Sequence, residues 1–329
     1  MLAVSCSGGE SDPGSLSPGT DEQIAVSTSM PTQTPAPASP TPEPTPIPAS
    51  SVPIIDLHFH PEPGWGDVAS LFDQIGVQAA GNGASGPDSL ALDLSARYPG
   101  RVLVFGGGYD IRQLVLRYGA SAWNLERAEV AAFLGRLEAD LQASRFEGIG
   151  EVHVNNWNSN IAGSPQYRWP ADSALLQRLL SLSATYEVPL SVHMDAEPDS
   201  VAQMERLLAA NREGYVLWAH TGHFAEPDLL RRLLETHPNL YCELSYRISI
   251  SASRTAIPMD TNGRLKESWR DLLEAFPDRF VVGTDLGGPS PGGYGSMIGF
   301  WRRILEQLSP QTAAKIAYRN AESLLDSQP

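Results

Sequence analysis

From residue 52 onward the chain alternates between short aliphatic runs and longer stretches with an apolar residue every three or four positions. The first pattern belongs to buried strands and the second to amphipathic helices. Their regular alternation marks βαβ units and a parallel sheet. Eight strands are predicted: 53–60 (PIIDLHFH), about 76–80, 101–105 (RVLVF), 148–154 (GIGEVHV), 189–193 (PLSVH), 215–220 (YVLWAH), 239–245 (NLYCELS) and 280–285 (FVVGTD). Helical periodicity is clearest over 126–143, 172–185, 199–211, 226–236 and 265–276, with a last pair at 297–308 and 310–325. Asp172, Asp199 and Glu226 stand near helix starts, where a carboxylate complements the helix dipole. Eight such repeats in about 275 residues match a (β/α)8 TIM barrel. The second strand is the weakest, because GVQAAGNGASG is short and Gly-rich. A doubly wound open sheet is the alternative, but it supplies no reason for the polar pattern that follows.

Histidines and acids recur at the C-terminal ends of these strands. His58 and His60 close the first, Glu151 lies in the fourth, His193 ends the fifth, His220 the sixth and Asp285 the eighth. That rim is where TIM barrels carry their active sites. Residues i and i+2 of a strand share a face, so Asp56, His58 and His60 are predicted to face the barrel axis, with Leu57 and Phe59 packed outward on helices. Two inward imidazoles about 6–7 Å apart along a strand can converge on one ion, with Asp56 one step deeper to orient a ligand. A lone His-x-His is weak evidence, and a lone strand-end Asp is often a helix cap. Five strands that each place His, Glu or Asp at the matching end make chance a poor explanation. Imidazole with carboxylate suits Zn, Mn, Fe or Ni rather than Ca, and Zn is favoured.

Composition changes the picture mainly at the amino terminus. Met1–Cys6 (MLAVSC) is short and apolar and sets a small residue before Cys, like the end of a bacterial lipoprotein signal, with Cys6 the lipidated residue. Residues 7–51 are Ser/Gly-rich and then Pro/Thr-rich, too poor in apolar side chains to build a core, and read as a disordered, partly polyproline tether. The barrel then occupies 52–329. This organisation predicts an extracytoplasmic, lipid-anchored protein at the cell envelope, the alternative being a cytoplasmic one. A formal charge of −15 disfavours nucleic acid as a partner. Two cysteines make neither a disulfide framework nor a Cys-rich zinc site.

The segments IDLHFH, GIGEVHV, LSVHMD, VLWAHTG, FVVGTD and YRNAESLL resemble the amidohydrolase superfamily, particularly its amidohydrolase-related (family 2) branch, across residues 53–326. The resemblance implies that His58, His60 and Asp285 bind the more buried metal. It implies further that His193 and His220 bind a second one, or that His193 joins the first while His220 polarises the substrate. Many members carry a carboxylated lysine on strand four. Glu151 stands there instead, as in TatD-like members, and leaves one or two ions open.

Loops after the strands set specificity. His153 shares a face with Glu151 and is a substrate-contact candidate; Trp157 after strand four and Arg247 after strand seven are two more. His223 and His237 read as surface residues. The expected activity is hydrolysis of a small ester, lactone, amide or similar compound, with Asp285 as proton acceptor and His220 stabilising the oxyanion. The alternatives are a non-oxidative decarboxylase of the same family and a non-catalytic ligand-binding lipoprotein. The expected partner is a small molecule, with a membrane met only through the lipid anchor; oligomerisation stays open.

Overall fold

The computed structural model describes residues 51–61, 64–83, 86–157, 166–245, 256–287 and 290–326. Eight strands form one parallel sheet: β1 (Ile54–Asp56), β2 (Val77–Gly83), β3 (Val102–Gly107), β4 (Gly148–Asn155), β5 (Leu190–Met194), β6 (Val216–Ala219), β7 (Leu240–Glu243) and β8 (Phe280–Val281). Each is hydrogen-bonded to the next in chain order. The ends of the sheet meet where Leu57 N–H donates to the Val282 carbonyl (3.0 Å), Asp285 N–H donates to that of His58 (2.5 Å), and Phe59 bridges Leu286. The predicted (β/α)8 barrel is therefore present.

The helices are α1 (Val68–Ile75), α2 (Asp88–Arg97), α3 (Gly108–Tyr118), α4 (Ala128–Gln142), α5 (Ala174–Tyr186), α6 (Pro198–Ala210), α7 (Pro227–Thr236), α8 (Glu267–Ala275) and α9 (Pro291–Leu305). The predicted last helix is broken into α10 (Pro310–Ala314), a π-helical segment Lys315–Arg319 and α11 (Asn320–Leu325). Ser173, rather than Asp172, caps α5 by accepting from Leu176 N–H (3.3 Å), while Asp172 pairs with Arg206. Among the described residues no helix is long and apolar enough to cross a membrane.

Two apolar clusters follow from the strand period of two. Ile54, Val104, Trp218 and Phe280 face the helices, and Ile55, Leu103, Phe105, Leu217 and Val281 face inward, closed off by Ala321 and Leu324 of α11.

The first strand departs from expectation. It stops at Asp56, and the chain bends at Leu57 and His58. Leu57 consequently packs in the inner cluster, not on the helices, whereas Phe59 does turn outward against Trp65, Phe72 and Tyr294. Asp56 does not reach a ligand imidazole. It accepts from His58 N–H (3.0 Å), Thr284 N–H (3.0 Å) and the Thr284 hydroxyl (2.7 Å), and so clamps the seam between the first and last strands. Burial lifts its carboxyl to about 6. Cys6, residues 7–50 and Arg247 lie outside the described residues.

A candidate metal centre

The six predicted ligands converge. His58 Nε2 lies 3.4 Å from both Glu151 Oε2 and Asp285 Oδ1, and His60 Nε2 lies 2.8 Å from the same Asp285 oxygen. On the other side of Glu151, Oε1 is 2.9 Å from His193 Nδ1 and 3.2 Å from His220 Nε2, which are themselves 3.0 Å apart. One carboxylate thus turns Oε2 to His58 and Oε1 to His193 and His220. Metal bonds of about 2.0–2.1 Å at tetrahedral angles set donor atoms about 3.3 Å apart, so the spacing suits zinc-sized ions. His58 Nε2 and His193 Nε2 are buried without a hydrogen-bond partner. Buried imidazole nitrogens rarely stay unsatisfied, and a cation at the His58 position would complete that atom.

The backbone holds this geometry under strain. His220 (φ 56°) and Asp285 (φ 53°) occupy the left-handed region, which costs a non-glycine residue about 1–3 kcal/mol. Their N–H groups are pinned, His220 to Glu243 Oε2 (3.0 Å) and Asp285 to the His58 carbonyl.

Glu243 of β7 is the residue that sequence reasoning missed. It is fully buried and takes the Nδ1–H of His58 (2.7 Å), the N–H of His220, and the N–H and hydroxyl (2.8 Å) of Ser245. Ser245 Oγ in turn meets His220 Nδ1 (2.7 Å). A carboxylate behind an imidazole fixes its tautomer and aims the other nitrogen, here Nε2, at the cluster. Gly283 makes room for it, since a Cβ there would overlap the Glu243 carboxylate. His60 is aimed likewise, its Nδ1 donating to the Gly83 carbonyl (2.6 Å). The available signal was an acid inside an otherwise apolar strand, the same signal that pointed to Glu151.

Charges in the cluster oppose burial. Burial alone would lower His58, but Glu151, Glu243 and Asp285 raise it well above the ordinary imidazole value; His60 is raised too, by Asp285. Burial would raise Glu151 and Asp285, but the adjacent histidines hold both below the usual carboxylate range, His58 chiefly for Glu151 and His220 and His58 for Asp285. His193 goes the other way, pushed by burial to about 3, and is therefore a neutral imidazole, the form that ligates metal.

The remaining histidines divide. His153 faces the centre as expected: Nε2 is 3.3 Å from Glu151 Oε2, Nδ1 meets the Tyr167 hydroxyl (2.7 Å), and the ring stacks on His193 at 4.6 Å. His223 is not a surface residue. It stacks on His220 at 4.4 Å and pairs with the buried Asp195 (2.8 Å), because the 220–222 turn folds back and the Gly222 carbonyl takes Ala196 N–H (3.0 Å). His237 is also buried, at the opposite end of the barrel before β7. Trp157 does not line the cavity. Its N–H turns back to Asn155 Oδ1 and its ring lies over Arg168 at 4.0 Å. Above the cluster opens a cavity of about 160 Å³ walled by His60, Glu151, His153, His193, His220 and Asp285, joined by Tyr109 and Arg112 of α3, which the sequence reading did not single out.

No curated protein matches the chain. Solved structures share its fold. They include 2,6-dihydroxybenzoate decarboxylase from Rhizobium, at 13% identity and a TM-score of 0.51, with 83% of this chain and 98% of that one covered. An uncharacterized TIM-barrel protein from Bordetella bronchiseptica gives 14%, 0.52, 83% and 98%, and an uncharacterized amidohydrolase from Saccharomyces cerevisiae gives 12%, 0.51, 83% and 99%. The profile of the family described as amidohydrolase matches residues 109–326, which contain Glu151, His193, His220 and Asp285. The chain belongs to the amidohydrolase family.

Proposed function

We propose that this protein is a metal-dependent hydrolase acting on a small ester, lactone, amide or similar compound. The observation that carries the reading is the unpartnered, buried Nε2 of His58, aimed between Glu151 and Asp285. His58, His60, Asp285 and Glu151 Oε2 would hold one ion, zinc by preference, and Glu151 Oε1, His193 and His220 a second. The ion supplies Lewis acidity, which acidifies water and polarises a C=O group. Asp285 has one oxygen on His60 and the other, Oδ2, without a hydrogen bond among the described residues, open to accept a proton and pass it to the leaving group. With one ion, His220 Nε2 steadies the oxyanion; with two, it is a ligand.

The purified, metal-analysed protein should hydrolyse members of an ester, lactone and amide panel, and a chelator should abolish that turnover. Carbon dioxide release from aromatic acids without hydrolysis would favour the decarboxylase, and a fully metal-loaded protein inert on every compound would favour the binding protein.

A further inference from the structure

We propose that Arg112 binds a carboxylate of the substrate, so that the enzyme acts on compounds bearing a carboxylate remote from the scissile bond. This rests on the metal-site reading above and adds the substrate class. The placement begins with Gly108, the first residue of α3. A Cβ there would come within 2.5 Å of the Glu151 carbonyl oxygen, so only glycine lets the helix start press against the strand that carries Glu151. Tyr109 and Arg112, three apart, then share one helix face, and both enter the cavity wall.

Arg112 differs from the rest of that wall. Among the described residues it is the only Lys or Arg lining the cavity, which otherwise presents Glu151, Asp285 and imidazoles. It is exposed and makes no ion pair or hydrogen bond with another described residue, whereas Asp110 in the same turn is taken by Arg136 (3.2 Å). Its charge acts on Tyr167, the partner of His153, which places it in the electrostatic reach of the centre. In a chain of net charge −15, a guanidinium left free at the mouth of an acidic cavity is suited to a planar, bidentate anion. The rim position, in the first turns after a barrel strand, is also where barrels place substrate contacts.

Hydroxamates that share one metal-binding group test this. Acetohydroxamate would be compared with the monohydroxamates of malonic, succinic and glutaric acid, which add a carboxylate at graded distance. Binding to the zinc-loaded full chain is read by calorimetry. At least one carboxylated probe should bind about 10- to 100-fold tighter than acetohydroxamate, the range of a hydrogen bond between charged groups. Arg112→Gln should erase that preference and leave acetohydroxamate affinity unchanged, and Arg112→Lys should keep part of it. Equal preference in wild type and Arg112→Gln, or none in wild type, overturns the assignment to Arg112 while leaving the metal site standing. Failure of acetohydroxamate to bind overturns the metal site and the proposal with it.

Discussion

Asp285→Asn is expected to lower turnover by about 10²–10⁴-fold while the protein keeps most of its metal. The side chain stands at the left-handed turn that ends the last strand and lines the cavity, with Oδ1 on His60 and Oδ2 without a hydrogen bond among the described residues. Asn retains the size and one ligand oxygen but cannot take up a proton in this pH range. His58, His60 and Glu151 remain to hold an ion. Glu151→Gln should behave in the opposite order. Oε2 faces His58 and Oε1 faces His193 and His220, so the amide removes a ligand oxygen from one side, and metal is lost before the chemistry is touched. Steady-state kinetics and elemental analysis on the same preparations separate the two. Wild-type turnover in a metal-replete Asp285→Asn would remove the proton-acceptor role and move the decarboxylase ahead.

Glu243→Ala should cost at least about 1–3 kcal/mol of stability, because it leaves the buried Nδ1–H of His58 without its acceptor. It also leaves the N–H groups of His220 and Ser245 without their acceptor. Glu243→Gln is the gentler test. Every hydrogen bond of this carboxylate among the described residues comes from a donor, so an amide must set its own N–H₂ against one of them. Loss of an imidazole's supporting carboxylate typically weakens metal binding about 10–100-fold. Competition with a chelator measures that loss, and thermal unfolding measures the stability. A Glu243→Gln protein that binds zinc as wild type does would show that His58 is aimed by its packing alone.

The barrel was legible because its strands are buried on both faces and write themselves as aliphatic runs. The ligands were legible because strand ends in this architecture share one rim. The errors have local causes. Leu57 and Asp56 were misassigned since strict alternation holds only while a strand stays regular, and this one bends immediately before its ligands. His223 looked like a loop residue because nothing in HTGHF announces the left-handed turn at 220–221 that folds the loop inward. Glu243 sits in a strand that was predicted, but its role needs Ser245 and the backbone of His220, which only the fold brings together. Arg112 escaped notice because the Gly106–Gly108 run reads as a loop, whereas it ends β3 and starts α3.

The most direct test is anomalous diffraction at the zinc edge from crystals of the zinc-loaded protein. The account predicts a peak about 2.0–2.1 Å from His58 Nε2 and His60 Nε2 and in contact with Asp285, with any second peak between Glu151 Oε1, His193 Nδ1 and His220 Nε2. No peak at His58 and His60 in zinc-replete crystals would contradict it.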